Sequence, residues 1–329
     1  MRLKAITAQR RPCLKGNDGM KRRNFGIGLS VLITALSDYP DRSIDWIIMW
    51  SAGGGADTAT RIFARYYAEE LGQDITVQNV TGAAGSVGYM TARDAEPDGY
   101  TLTTALSDLP KYKPLGTPGI DVDDFDIIGS FAVEAPVLVA PTASDIETLE
   151  DFVTASQENP GELAIGVTNL GGIHHQPLIL LGDALNLDFR VVAHDGTPQV
   201  NAALLGGHID MISSFAQQSL GNVQSGYMRY IAYFGAERME ALPDVPTVSE
   251  LGYDIIWEHS YGVATPKGAP DEVKQALQTA LEAVRENPDF AADLEAAGLS
   301  LHVRGPEEYR AELLDTQVQM QRVVEIMQQ

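Results

Sequence analysis

Residues 50–57, Trp50-Ser51-Ala52-Gly53-Gly54-Gly55-Ala56-Asp57, offer hydrogen-bond chemistry and little else. Small side chains leave the backbone amides bare. An apolar run, Ile47 to Met49, precedes them, and a helix follows from Asp57, with Ala59, Ile62, Phe63, Tyr66 and Leu71 at three- and four-residue spacing. Gly72 is its C-terminal glycine. A glycine turn that opens a helix presents unpaired N–H groups and the positive end of the helix dipole, which suits an anion. Two alternatives stand beside that reading. Such turns also serve packing alone, and Asp57 can act as a first-turn carboxylate that caps the helix. No Lys-Ser or Lys-Thr pair follows the glycines, so this is not a P-loop.

Other chemistry finds less support. Gly82-x-x-Gly85-x-x-Gly88 follows a strand, with Asp108 beyond the next strand, which allows a dinucleotide-dependent oxidoreductase as the alternative function. Against it, no tyrosine has a lysine four residues later, and the turn does not stand at the start of the sheet. The six histidines form no H-E-x-x-H, and the one cysteine, Cys13, has no partner, so no metal site is expected. There is no G-x-S-x-G nucleophile turn. No cofactor is expected.

The elements that must position these residues alternate. Strands are expected at Asp74–Val80 and Tyr100–Leu106, around a second glycine turn, Thr81–Gly88, and a helix. Phe125–Gly129 and Pro136–Ala140 read as short strands. A helix follows from Ser144 to Asn159, then a strand at Leu163–Val167. Thr168–Ile173 is another glycine loop, before a helix from near His174. Strands at Phe189–Ala193, His208–Ser213, Tyr230–Phe234 and Ser260–Thr265 alternate with helices. Helices at 270–287, 291–297 and 306–327 close the chain. Strand, glycine loop, helix, strand is a βαβ unit and implies parallel pairing, hence an α/β fold.

The 329 residues carry a formal charge of −22, and the charge is uneven. Residues 1–37 hold eight Lys or Arg and one acid. Taken from the 23 basic and 45 acidic residues of the whole, they leave 15 and 44, or −29, for the rest. Such a body offers no basic patch to nucleic acid. It repels anions at long range, so any bound anion is held by local, directed donors. Met20-Lys21-Arg22-Arg23 followed by the apolar run Phe25–Leu36 reads as an export signal, removed from the mature protein. The run is too short to span a membrane comfortably. Cys13 precedes it, so the exported body would have no cysteine.

The combined motifs resemble one family, the periplasmic substrate receptors of tripartite tricarboxylate transporters, or Bug receptors. They are Ser51-Ala-Gly-Gly-Gly-Ala-Asp57 with Arg61, Val77–Asn79 with Gly82-Ala-Ala-Gly85, and Pro97-Asp-Gly-Tyr-Thr-Leu102. Leu204-Leu-Gly-Gly-His-Ile-Asp210, Leu242-Pro-Asp-Val-Pro-Thr-Val248, Tyr261-Gly262 and Ala264-Thr-Pro-Lys-Gly268 follow in order. The resemblance covers roughly residues 44–329. It implies a two-lobed type II periplasmic binding protein, each lobe a mixed, mostly parallel sheet flanked by helices. Lobe 1 would be 44–132 with 259–329, and lobe 2 would be 133–258.

The resemblance further implies an extracytoplasmic receptor and not an enzyme. It would bind a di- or tricarboxylate, or a related organic acid, between the lobes and deliver it to membrane permease subunits. A monomer is expected. The implied ligand-binding residues are Trp50, Ser51, Ala52, Gly53, Gly54 and Asp57 in the first turn. Thr168, Asn169, Gly171, Gly172 and His175 stand in the second, with Ser107, Asp195 and Gly196 as neighbours. Trp50-Ser51 stands where the family commonly has a proline, and Asp195 where a basic residue is common. Asp195 has two readings, a receiver of an ammonium or hydroxyl group and a turn-capping Asx residue. His174 and His175 also have two, structural donors at a helix start and ligand contacts.

Overall fold

A computed structural model describes residues 39–117, 119–168, 170–194 and 196–328. The expected export signal, Asn169 and Asp195 lie outside the described residues. The chain builds two sheets. The first holds β1 (Ile44–Ile48), β2 (Ile75–Asn79), β3 (Thr101–Leu106), β4 (Phe125–Glu134), β10 (His259–Pro266) and β11 (Ser300–Leu301), in the order β11-β4-β10-β3-β1-β2. The second holds β5 (Pro136–Pro141), β6 (Ala164–Val167), β7 (Arg190–Ala193), β8 (Met211–Phe215) and β9 (Met228–Tyr233), in the order β7-β6-β8-β5-β9.

Both sheets are mixed. The βαβ units supply the parallel pairs, β1 with β2 and β3, and β6 with β7 and β8. The strands around the crossings supply the antiparallel ones. β4 runs directly into β5 across Ala135, and β10 returns from the second sheet between β3 and β4. β4 and β10 are buried along their whole lengths, as the inner strands of a covered sheet should be.

Several boundaries differ from the sequence pattern. β4 does not stop at Gly129 but runs on to Glu134. Gly129, at φ +146, pairs with Val263 beside the register shift between Val263 and Ala264, so the glycine marks a bulge and not an end. The helix expected from Ser144 starts at Leu149. Thr148 caps it in a reciprocal box with Asp151, whereas Ser144 bonds the Pro141 carbonyl in a turn. β8 ends at Phe215 instead of Ser213, which brings the Phe215 ring to the sheet's edge.

Helices cover the sheets. α1 (Gly55–Leu71) and α2 (Ser86–Arg93) flank the first, with α7 (Asp271–Arg285) and α8 (Pro288–Ala296). α3 (Leu149–Glu158), α4 (Gln176–Leu185), α5 (Thr197–Leu205) and α6 (Ala216–Gln224) flank the second. Trp46, Phe63, Tyr67, Phe131 and Phe290 centre the first core, with Phe63 stacked 4.2 Å from Phe131. Phe152, Leu178, Met211 and Phe234 lie in the second. The resemblance assigns residues 306–329 wholly to lobe 1, but α9 (Pro306–Met327) packs against both. Tyr309 and Leu313 enter the first core, and Met320 and Val323 the second.

Tyr309 depends on a missing side chain. A Cβ on Gly262 would stand 2.1 Å from Tyr309 Cε1 and 2.6 Å from the Gly129 carbonyl. Tyr309 also donates to the Ala105 carbonyl at 2.7 Å. Gly262→Ala should therefore displace α9 and destabilise the protein by about 1–3 kcal/mol. The urea midpoint measures this; an unchanged midpoint would show that α9 tolerates the shift.

Candidate functional site

The first turn stands at the carboxyl end of β1, where open α/β sheets place their ligands. Ser51 through Gly55 are exposed, and the helix behind them is anchored by buried Ala56 and Asp57. The helix opens two residues earlier than its apolar pattern indicates. Gly54 is the N-cap in extended conformation, and Asp57 lies in the first turn. Asp57 Oδ2 accepts the Gly53 N–H at 2.8 Å, and its Oδ1 accepts Arg61 Nε at 2.8 Å and Asn79 Nδ2 at 2.9 Å. Asn79 Nδ2 also donates to the Trp50 carbonyl at 2.8 Å. Burial opposes the charge on Asp57, yet the donors from Gly53, Asn79 and Arg61 hold its carboxyl below the usual range. Asp57 therefore ties the turn to β2 and consumes the Gly53 amide.

The second turn, at the carboxyl end of β6, is ordered in the same manner by its own side chains. His175 Nδ1 accepts the Gly171 N–H at 2.8 Å, which places any single ring proton on Nε2. Gln176 Nε2 donates to the Gly171 carbonyl at 2.9 Å, and the Gly172 carbonyl accepts from the amides of His175 and Gln176. The Thr168 hydroxyl lies 3.0 Å from His174 Nδ1. Gly196, at φ +105, is the N-cap of α5 and donates its amide to the His194 carbonyl.

A series of contacts runs from one turn's sheet to the other's. The Ser107 hydroxyl, after β3, is 3.1 Å from His259 Nδ1. The His259 ring lies 6.2 Å from Phe215, and Phe215 lies 4.6 Å from His174. Ser107 and Thr168, both expected from sequence, thus sit at opposite ends of a row in which Ser107, His259 and His174 are buried and Phe215 and Thr168 half-buried. Burial depresses His174 to about 3, with His259 adding to the effect, and His259 to about 4. Both rings are neutral at neutral pH. His174 Nε2 is buried and has no hydrogen-bond partner, so the row keeps unspent polar capacity.

Three ionisable side chains near this row were not among the expected ligand-binding residues. The Lys111 ammonium lies 4.7 Å from the Trp50 ring centroid, a cation–π contact, and 2.6 Å from Asp108 Oδ2. The third is Glu134, whose carboxyl accepts the Tyr261 hydroxyl. Burial pushes Glu134 up to about 8, opposed by that hydrogen bond. Lys111 thus places a cation beside the Trp50 ring of the first turn, already paired with Asp108. The spacing of Asp108 and Lys111, three residues apart before a short helical turn, was the available signal.

The glycines of the alternative dinucleotide turn are taken up by packing. A Cβ on Gly88 would meet the Val80 carbonyl at 2.6 Å and Met49 Cα at 2.7 Å, and one on Gly85 would meet the Tyr112 hydroxyl at 2.7 Å. A Cβ on Gly82 would likewise meet Val87 Cγ2 at 2.9 Å, so close packing accounts for all three glycines. Among the described residues, no group of three potential ligands could hold a metal ion, and no helix is long and apolar enough to cross a membrane.

Comparison with known proteins agrees with the geometry. Residues 59–328 match the model of the tripartite tricarboxylate transporter family receptor. The chain is 27% identical to a UPF0065 protein of Cupriavidus necator over 93% of this chain and 94% of that one. A ligand-free TctC solute binding protein from Polaromonas superposes with a TM-score of 0.79 at 24% identity, covering 87% of this chain and 99% of that one. Two proteins of Rhodopseudomonas palustris share the fold at 22% identity each. MatC with bound malate has a TM-score of 0.71, covering 87% of this chain and 100% of its own, and one with adipate has 0.75, covering 88% and 98%. These likenesses fix the architecture as the two-lobed fold of periplasmic binding proteins. With the family model matched from the first helix to the last, this chain belongs to the tripartite tricarboxylate transporter family of receptors.

Proposed function

We propose that this chain is an exported, monomeric receptor that holds a small di- or tricarboxylate between its lobes and delivers it to the permease of a tripartite transporter, without turnover. The observation that carries the reading is the pair of glycine turns, 50–57 and 168–175. Each stands at the carboxyl end of a strand, and the row from Ser107 to His174 joins their sheets. The lobes follow the two sheets, and the chain crosses between them at Ala135 and over residues 234–258. The malate and adipate held by the two Rhodopseudomonas palustris neighbours support the ligand class.

In this reading the solute's carboxylates meet the amides of Ser51, Ala52 and the first turn of α1 on one side, with the Gly54 amide closing the turn on the Ser51 carbonyl. They meet the turn of Thr168, Asn169, Gly171 and Gly172 on the other. Gly53, Asp57 and His175 shape the turns, and Trp50, Ser107, Asp195 and Gly196 line them. Each helix start contributes about 0.3–1 kcal/mol, more when partly buried. Each charge-assisted N–H bond adds roughly 1.5–3 kcal/mol. Three or four such bonds, less the cost of freezing the ligand, leave an affinity near about −8 kcal/mol, or micromolar.

Calorimetric titration with malate, adipate and citrate tests this. At least one should bind with micromolar affinity. Gly54 has φ −80 and only the Ser51 carbonyl near its missing Cβ, at 3.3 Å, so Gly54→Val keeps the fold and crowds the amides. It should weaken binding about tenfold or more, and Gly172→Val should do so from the other side. Asp57→Asn retains an acceptor for the Gly53 N–H but turns an NH2 toward Arg61 and Asn79, so it should cost less than either valine, about threefold. Full affinity in both valine variants, with folds intact, would place the site elsewhere. Dinucleotide binding without carboxylate binding would overturn the receptor reading.

A further inference from the structure

Glu134 is the last residue of β4, one before the crossing at Ala135. It is 8% exposed. A Cβ built on Gly55, the first residue of α1, would stand 3.2 Å from Glu134 Oε1 and 3.2 Å from the Tyr261 hydroxyl oxygen that donates to it. Gly55 itself is exposed. A single glycine thus separates the open start of α1 from a buried carboxyl.

The surroundings supply no compensating cation. On β10, His259 pairs with Glu134 in register and is neutral, and the Tyr261 hydroxyl is held well above its ordinary range by burial and by Glu134. On β9, the Tyr233 hydroxyl is raised by burial, with Glu258 and Glu134 adding. On α1, the Asp57 charge is committed to the Gly53 amide, Arg61 and Asn79. Among the described residues, no Lys or Arg pairs with Glu134. Two ionised carboxylates brought together in such a site repel, and the pair retains a proton.

We propose that Glu134 is a specificity-determining residue of the cleft, sharing the start of α1 with the solute's carboxylate so that a solute binds an ionised Glu134 only by taking up a proton. The proposal rests on the carboxylate-receptor reading above. It makes the cleft discriminate by protonation: the pair of carboxyls is admitted with one proton between them and excluded without it. The direction in which burial moves Glu134, up to about 8, places the effect near neutral pH.

Titration calorimetry of malate between about pH 7 and 9, where malate is fully ionised, tests it in two buffers of different ionisation heat. Wild-type affinity should fall about tenfold per pH unit once Glu134 is ionised, with close to one proton taken up per malate bound. Glu134→Gln carries a neutral amide and should bind with no such fall. Tyr261→Phe removes the hydroxyl that favours the ionised carboxyl, so its fall should move to higher pH. Parallel profiles for wild type and Glu134→Gln overturn the proposal and leave the receptor reading standing. No binding of malate, adipate or citrate by wild type at any pH overturns both.

A ligand-free readout accompanies this. Glu134 rises from 4.5 to about 8 on folding, so the stability it confers is complete below pH 4.5 and is lost as pH rises through about 8. The Tm of Glu134→Gln relative to wild type should therefore climb across that window. A constant difference would mean that Glu134 is ionised throughout, and would overturn the proposal. If Glu134→Gln does not fold, Tyr261→Phe decides by the direction in which its affinity profile moves.

Discussion

Burial without net charge is the constraint on which the rest of this structure depends. Among the described residues, the ionisable groups buried beside the two turns are compensated or neutral. Asp57 is matched by Arg61, Asn79 and a backbone amide, and Asp108 by Lys111. Glu134 has Tyr261 and a raised affinity for its proton, while His174 and His259 are neutral by desolvation. A charge taken out of water costs several kcal/mol unless it is paired, so these pairings are conditions of folding before they are features of a site. The same pairings spend the Gly53 and Gly171 amides on shaping the turns. In a body of this charge, an anion held there as proposed would rest on directed donors and not on net attraction.

The two turns reach similar ends by different means. In the first, a helix residue reaches back to the turn, with Asp57 bonding the Gly53 amide. In the second, a ring nitrogen does the same, with His175 bonding the Gly171 amide. Each is an acceptor four residues beyond the amide it holds, on the helix that the turn opens. A bare glycine segment loses much conformational entropy when ordered. A side chain fixed by the helix supplies the acceptor at little further entropic cost, which explains how turns so rich in glycine hold one shape. Thr168 and His174 extend the same ordering into the row.

The sequence made the elements and the turns legible because their signals are local. Glycine runs, apolar spacing and the order of the motifs located β1, α1 and both turns. Non-local facts were not legible. Gly129 reads as a strand end until Val263 is seen opposite it with a register shift beside the pair, since a bulge needs its partner strand to be recognised. The start of α3 was missed because Ser144 and Thr148 are both acceptable caps, and the reciprocal bond with Asp151 selects the second. Glu134 carries no pattern of its own, and Lys111 only its spacing from Asp108. Their roles come from the return of β10 beside β4, and from the short turn after β3 folding back toward Trp50. Charged residues at strand ends are usually solvated, so nothing in the chain distinguishes a buried one from its exposed neighbours.

The terminal helix follows from the same reasoning. α9 has no glycine or proline after its first residue, so its 22 residues form a stiff rod. One half is fixed in the first core by Tyr309, seated over Gly262 and bonded to the Ala105 carbonyl of β3. The other half contributes Met320 and Val323 to the second core, and the Met327 side chain ends 3.9 Å from where a Cβ on Gly171 would stand. β3 leads into Ser107, and Gly171 lies in the second turn. In the receptor reading proposed above, the rod joins the Ser107 side of the site to its second turn. Two lobes linked only by Ala135 and the segment before β10 would have their spacing set by loops alone. With α9 packed into both cores, that spacing is set by side-chain packing, whose tolerance is a fraction of an ångström.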